Sequence, residues 1–470
     1  MPLDAQNRPV VLGIPPQITD LVQTRTWERY FHDALFPMLL FQIDAKPSEW
    51  AGNIGDRLAM TRTGLLSVKT TPITVGNDPV VSSYSSEQWD AVAAQFGDTI
   101  DTNMLTSAVS LANQFIENIQ KLGMGGGQSM NHIARNQLYA AYMGGQTLCD
   151  TTQAVAAVTF HVQSLAGFLT NINLNAGMAA PQPVSASNGI PVVLHAGAGS
   201  AENGVIVGAT PDLATNPWGP GNLTLQAVPA TKLSSGDAVV ALNSSLRTRA
   251  GGGYSDDAVS GTDTATLQLF VNLQAVLRQN NVPPHRDGYY HAHISPATEA
   301  EIFFDASLQR ALTALPDSFY YRNIALGVLA GMVFIRNAEV PNPNTVQAQE
   351  NFPWETTTTS GVVLQRDIIT GAGVIYEKWI NEMKLFATEA GTTGRVANFN
   401  ISNNGVAVAI DRLRLILRAP LDRFQQIVSA SWSWTGDFPI PSDLTTGGGV
   451  TVNGQTASSR YKRAGIVVHA

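Results

Sequence analysis

Residues 98–145 read DTIDTNMLTSAVSLANQFIENIQKLGMGGGQSMNHIARNQLYAAYMGG, and their periodicity frames the rest of the chain. Ile100, Met104, Ala108, Leu111, Phe115, Ile119 and Leu122 follow at steps of three or four, the spacing of one apolar helix face. Asp98, Thr99 or Asp101 can cap its first turn. Such a helix spans about 35 Å. Gly123, Gly125, Gly126 and Gly127 are expected to interrupt it, and a second helical stretch carries Ile133, Leu138, Ala141 and Tyr142 until Gly144 and Gly145 stop it. The pair reads as the mechanical spine of the molecule.

On the N-terminal side, Leu21, Val22, Trp27, Tyr30, Phe31, Leu35, Met38 and Leu39 recur with helical spacing, broken at Pro37. This reads as a short amphipathic arm that needs a partner surface. Between Met60 and Tyr84, β-branched and polar residues alternate through LLSVKTTPITV, and Gly76-Asn77-Asp78-Pro79 supplies a turn, so an extended two-stranded hairpin is expected.

On the C-terminal side, residues 150–262 become rich in Gly, Ala, Ser, Thr and Asn. Short β-like runs lie at Pro191–His195, Val205–Ala209, Asn222–Val228 and Ala238–Leu242, with Asn203-Gly204 and Ser234–Asp237 as turns between them. This reads as an inserted β domain. Helical spacing returns at Leu267, Phe270, Val271, Leu273, Val276 and Leu277. There follow a strand-like DGYYHAHISP, a helix from Ala297 to about Leu315 and an apolar strand from Met332 to Val340, an alternation that predicts an α+β body. VAVAIDRLRLILRAPLDR, Val406 to Arg423, reads as one sheet strand ended by Pro420, and the tail from Thr445 onward reads as loosely ordered.

The 470 residues exceed what one core of ordinary size serves, so two or three packed regions are expected. Hydrophobic residues make up 44% and charged residues only 14%, well below the roughly 25% typical of soluble chains. Much nominal surface is therefore expected to face protein rather than water. A net charge of -8 and the lack of a Lys/Arg-rich run argue against a phosphate-gripping patch. The single Cys149 excludes an intrachain disulfide framework and fits a reducing cytoplasm. Neither a signal peptide nor a run of about 18 apolar residues is evident, so export and membrane insertion are not expected.

Candidate chemistry is sparse. HRDGYYHAH brings His285, Asp287, His291 and His293 together, and an H-x-H on a strand can offer two nitrogens on one face to zinc, but a third fixed ligand is missing and a hydrogen-bonded structural role is preferred. GMGGGQS, Gly123–Ser129, looks like a phosphate loop without the Gly-Lys-Ser/Thr that would meet phosphates. Serine nucleophile motifs do not occur in a matching context. Trp432 and Trp434 share one face of a strand, read as core or interface packing rather than a sugar platform. Asp411, Arg412, Arg414, Arg418, Asp422 and Arg423 interleave charge over one apolar segment, a pattern favoured at subunit contacts.

Several segments, in order, resemble the major capsid proteins of tailed bacteriophages of the Hong Kong 97 fold: GDRLAMTRTGLLSVKTTPIT from Gly55, RNQLYAAYMGG from Arg135, DGYYHAHISP from Asp287, LAGMVFIRNAEVP from Leu329 and RLILRAPLDRFQQIVSASWSWTGDFPIPSD from Arg414. The resemblance implies an α+β Hong Kong 97-type fold: an N-terminal arm (1–50), an E-loop (51–95), a spine helix region (96–149) and an axial and peripheral body with a C-terminal tail (263–470). The β-rich insertion domain (150–262) departs from the family pattern. It also implies a subunit that self-assembles as pentamers and hexamers in the host cytoplasm and, in the virion, encloses double-stranded DNA without reading its sequence. Scaffolding and portal proteins, and a decoration protein, are the implied partners; no enzyme activity, cofactor, metal or membrane is implied. Expected subunit-interface residues are Arg57, Arg62, Lys69, Arg414, Arg418, Asp422 and Arg423. Lys69 as an isopeptide donor is disfavoured, because no spacing singles out an asparagine partner. The competing readings are a phage tail, fibre or surface binding protein, disfavoured by the lack of internal repeats, and a hydrolase using His291 or His293.

Overall fold

The computed structural model describes the chain apart from residues 1–25, 36–39, 51–56, 64–68, 80, 82–85, 110–113, 176–177, 197–200, 215–218, 242–245, 253–255, 257–258, 280–281, 314–326, 347–351, 353–355, 359, 382–397, 400–404, 411, 419–425, 442–450, 453–454 and 457–462. The architecture is α+β and divides into two compact units. One comprises residues 1–58, 90–134 and 376–439, the other 59–89, 135–375 and 440–470.

The first unit is organised by the strand Ile427–Asp437, whose Val428, Ala430, Trp432 and Trp434 are buried at alternate positions, the period of a strand with one core face. Trp434 stacks on Phe438 at 5.2 Å and meets Phe96 at 5.8 Å, so the tryptophan pair is core packing. Gly405–Ile410 and Leu413–Arg418 are two antiparallel strands, not the single strand expected over Val406–Arg423; Asp411 lies outside the described residues. Leu413–Arg418 then pairs with the tryptophan strand.

The spine differs from the sequence expectation at its N-terminal end and at the glycine cluster, while its end at Tyr142 before Gly144 is as expected. Residues Ala94–Asn103 form a strand paired along the tryptophan strand from Ile427↔Asn103 to Gly436↔Ala94. That ladder overrides the helical spacing of Ile100. A short helix, Met104–Val109, follows, and then one helix runs from Gln114 to Tyr142, straight through the glycine cluster. Packing explains the glycines. A Cβ on Gly123 would sit 2.7 Å from the Phe31 carbonyl oxygen and 3.2 Å from Ala34 Cβ, and one on Gly126 would sit 3.4 Å from the Trp432 ring. Close approach of neighbours offsets the roughly 1 kcal/mol that each helical glycine costs. Gly123→Ala is therefore expected to destabilise the subunit, whereas Gly125→Ala, with nothing within 4 Å of its Cβ, is expected to stabilise it by about 0.5–1 kcal/mol. Urea midpoints of the unassembled subunit would reveal the opposite signs.

The N-terminal helix spans Thr26–Leu35. Its Phe31 and Leu35 are already buried in this chain, so this stretch needs no second subunit to cover them. Leu21 and Val22 lie outside the described residues. Just beyond, the Leu40 and Phe41 amides donate to Asn131 Oδ1 at 3.1 and 2.7 Å, tying the segment to the long helix.

In the second unit, the body sheet runs in the order Leu246–Arg249, Ala464–His469, Gln365–Thr370, Tyr290–Ile294, Met332–Arg336 and Val328–Leu329. Every residue of Ala464–His469 is buried, so this part of the tail is an inner strand rather than loose chain. Its AGIVVH is the continuous apolar run of a strand buried on both faces. The helix Leu267–Gln279 covers the sheet with Phe270, Leu273 and Leu277, and a Cβ on Gly465 would lie 2.7 Å from Leu273. The helix expected from Ala297 is two, Pro296–Phe303 and Ala306–Thr313. Ser295 caps the first through the Thr298 amide, and Asp305 between them accepts the Ser307 and Leu267 amides.

The β-rich stretch contains a six-stranded antiparallel barrel, in the order Gln146–Leu148, Ala238–Ala241, Ile190–Leu194, Glu202–Pro211, Gly221–Leu225 and Thr159–Val162. The ends of that order meet: the Gln163 amide donates to the Leu148 carbonyl at 3.0 Å, and Cys149 bridges Val162. Closure removes the exposed edges of an open sheet. The interior is filled by Phe160, Val162, Val192, Leu194, Leu223 and Leu225 among others. Asn203 and Gly204, expected as a turn, lie within a strand, where glycine admits Leu194 and Leu225 to about van der Waals distance of the backbone. The barrel strands run from Gln146 to Ala241, and Leu246–Arg249 belongs instead to the body sheet, parallel to Ala464–His469. Thr170–Asn175 and Met178–Pro183 form a hairpin in a four-stranded sheet with Ser86–Val92 and Arg57–Thr63.

Candidate functional site

The expected interface residues fall at two places. Arg57 is exposed at the start of the strand Arg57–Thr63; Arg62 is in the same strand, its side chain outside the described residues. Lys69 opens a run, 69–79, in which every residue is exposed. Within it Ile73 is 59% exposed and Val75 is fully exposed, and Val81 beyond it is 92% exposed. A turn at Gly76, with φ +95°, and the Asn77 amide on the Thr74 carbonyl reverses the chain there. Three large apolar side chains in water on one extended loop are costly unless something covers them.

The second place is the hairpin strand Leu413–Arg418. Leu413, Leu415 and Leu417 face the core, while Arg414 is half-buried and Arg418 exposed on the other face. Asp422 and Arg423 lie outside the described residues, as does Pro420. Arg412 is ion-paired with the fully buried Glu377 of this same chain.

The histidine segment forms part of the body core. Tyr290–Ile294 is buried at all five positions between a parallel and an antiparallel neighbour. His285 and His291 stack at 4.0 Å, His291 Nε2 lies 3.0 Å from Asp287 Oδ2, and His285 Nε2 lies 3.2 Å from Thr370 Oγ1. Burial pushes the Asp287 carboxyl up, but hydrogen bonds from His291 and the Tyr289 amide outweigh it and hold it below the usual range. His293 is fully buried beside Asn337, 3.5 Å away.

Two buried charge clusters were not singled out in the sequence. Asp256 accepts Arg247 Nη1 at 3.1 Å and Arg249 Nε at 2.7 Å, and Arg366 approaches it at 3.4 Å. Burial would raise the Asp256 carboxyl, yet three guanidinium groups hold it far below its ordinary value. Arg249 is lowered to about 10, by burial first. The Arg-x-Arg spacing of 247 and 249, which puts two guanidinium groups on one strand face, was the available signal. The second cluster surrounds His469. Its Nε2 lies 3.0 Å from Asp367 Oδ2 and 2.9 Å from Thr298 Oγ1, and its Nδ1 lies 3.1 Å from Glu301 Oε2. Burial alone would depress this imidazole, but hydrogen bonds to the two carboxylates raise it to about 10.

The elements thus define an α+β protein whose described surface carries an exposed apolar loop. No protein-family model matches the sequence. No curated protein matches it either. Among solved structures, the chain is similar to the capsid of Ralstonia phage GP4 at 12% identity, over 91% of this chain and 90% of that one, with a TM-score of 0.44. It is similar to the capsid asymmetric unit of cyanophage Pam1 at 9% identity, over 93% and 92%, TM-score 0.47. The capsid of cyanophage P-SCSP1u gives 10% identity over 92% and 88%, TM-score 0.46.

Proposed function

We propose that this chain is the structural subunit of the icosahedral head of a tailed DNA bacteriophage, with a Hong Kong 97-type fold. In this reading it assembles in the host cytoplasm as pentamers and hexamers, with scaffolding and portal proteins and a decoration protein as partners, and encloses double-stranded DNA without catalysing a reaction. The observation that carries the reading is the loop 69–81: Ile73, Val75 and Val81 stand in water in the single subunit, and a neighbouring copy in a closed lattice would cover them. Residues 51–95 act as the E-loop and 1–50 as the arm. The β-rich region is the insertion domain, with the barrel as its folded part. Arg57, Arg62, Lys69, Arg414, Arg418 and Arg423 pair with carboxylates of neighbouring subunits, and Asp422 with a guanidinium or ammonium group there. Repetition of one patch through a closed shell makes modest contacts collectively stable.

The test is assembly of Ile73→Asp/Val75→Asp, followed by sedimentation and electron microscopy. Shells or polyheads from the wild type and free subunits from the variant are expected, with subunit stability unchanged within about 0.5 kcal/mol because both positions are exposed. Wild-type shell yield from the variant would refute the loop as the clamp, and a wild type that never exceeds a dimer would refute the capsid reading.

A further inference from the structure

His161 sits on the barrel strand Thr159–Val162, beside the seam where the barrel closes. Its Nδ1 lies 2.6 Å from Asp150 Oδ2, and its Nε2 lies 2.7 Å from Asp212 Oδ2. Asp150 follows the strand Gln146–Leu148 on the far side of the seam; Asp212 begins the connection between Glu202–Pro211 and Gly221–Leu225, and its amide donates to the Pro220 carbonyl at 3.1 Å. The residue paired with His161 on the adjoining strand is Asn222, which carries no charge.

We propose that His161 is a proton-operated latch that fastens Asp212, at the end of the strand Glu202–Pro211, to the barrel seam. An imidazolium donates from both nitrogens and satisfies both carboxylates. A neutral imidazole has one N–H, so one carboxylate then faces a ring lone pair. Asp212 is the side that lets go: it is 45% exposed against 31% for Asp150, and water can replace its lost donor more readily. Burial lowers the basicity of His161, but the hydrogen bonds it donates to Asp212 and Asp150 more than compensate and raise it above the ordinary histidine value. The latch is therefore closed at mildly acidic pH and opens as pH rises through the titration of His161. Among the described residues, Asp212 and Asp150 are the charged groups that set the state of this ring. The proposal is independent of the assembly reading, since it concerns the folded single chain.

The experiment is hydrogen exchange on the full-length protein across the titration of His161, with that titration followed by NMR of its imidazole and exchange corrected for the intrinsic effect of pH. Peptides covering 211–221 are expected to lose about tenfold in protection, the scale of one charge-assisted hydrogen bond, while peptides covering 190–194 stay constant. Asp212→Asn supplies a side-chain amide that can donate to the neutral ring or accept from the charged one, so its protection is expected to be independent of pH. Constant wild-type protection of 211–221 through the His161 titration would overturn the latch, as would a pH-dependent loss that persists in Asp212→Asn.

Discussion

Asp256→Ala is expected to destabilise the unassembled subunit by about 3–5 kcal/mol, because it leaves Arg247, Arg249 and Arg366 in the interior without their shared counter-charge. Desolvating a guanidinium is tolerable only when a carboxylate or carbonyl takes its place in the hydration shell. Arg247 and Arg249 keep other acceptors, the Met143 carbonyl and Gln146 Oε1, so part of the cost is mitigated, but the like charges then repel without a screen. Arg366→Met makes a sharp comparison. Its approach to Asp256 is the longest of the three at 3.4 Å, and its removal brings the cluster nearer to neutrality. It is expected to cost clearly less than Asp256→Ala. Urea unfolding of both variants decides the matter, and an Asp256→Ala midpoint within error of wild type would contradict the account.

A second large effect is expected from pH. His469 has a folded-state value of about 10, against about 6.5 for an unfolded histidine. A folded value raised in this way means the folded state holds its proton more tightly than the unfolded state. The stabilisation is therefore complete below about pH 6.5 and is lost as pH climbs toward 10, in total about 3–5 kcal/mol. His469→Gln should lower stability at pH 7 and lose the slope between pH 7 and 9 that the wild type shows. Parallel curves for the two proteins would mean that Asp367 and Glu301 do not hold the imidazolium.

The barrel and body were legible where a local rule and the tertiary structure agreed. The runs around Val192, Val205, Leu223 and Val239 become strands, and Leu267, Phe270, Leu273 and Leu277 form the apolar face of a helix. Reading failed where a remote partner decided the outcome. Ile100 has helical spacing to Met104, yet ten residues from Ala94 to Asn103 are claimed by the ladder along Ile427–Asp437. The glycines at 123 and 126 look like helix breakers until Phe31 and Trp432 are seen against them. AGIVVH near the tail was a clear strand signal, obscured by the Gly, Thr and Ser before it. Of the expected interface residues, Arg57, Lys69 and Arg418 are exposed in the single chain. The Arg-x-Arg spacing of 247 and 249 hinted at the Asp256 cluster, but its third member, Arg366, is 110 residues from Asp256, and no periodicity in sequence could report the His469 cluster, whose carboxylates come from segments far apart in the chain.

The placement of Ala464–His469 inside the body sheet has a consequence for the order of events during synthesis. His469 and Asp367, hydrogen-bonded across paired strands, are 102 residues apart, and Leu246–Arg249 waits longer still for its parallel partner. Until residues 464–469 leave the ribosome, Leu246–Arg249 and Gln365–Thr370 flank an empty slot, each with an unpaired row of backbone donors and acceptors. Such long-range closure is slow and leaves the nascent chain open to pairing with the wrong strand. The growing polypeptide thus cannot complete this sheet early, and a product stalled before residue 464 would be a sticky fragment rather than a smaller version of the subunit.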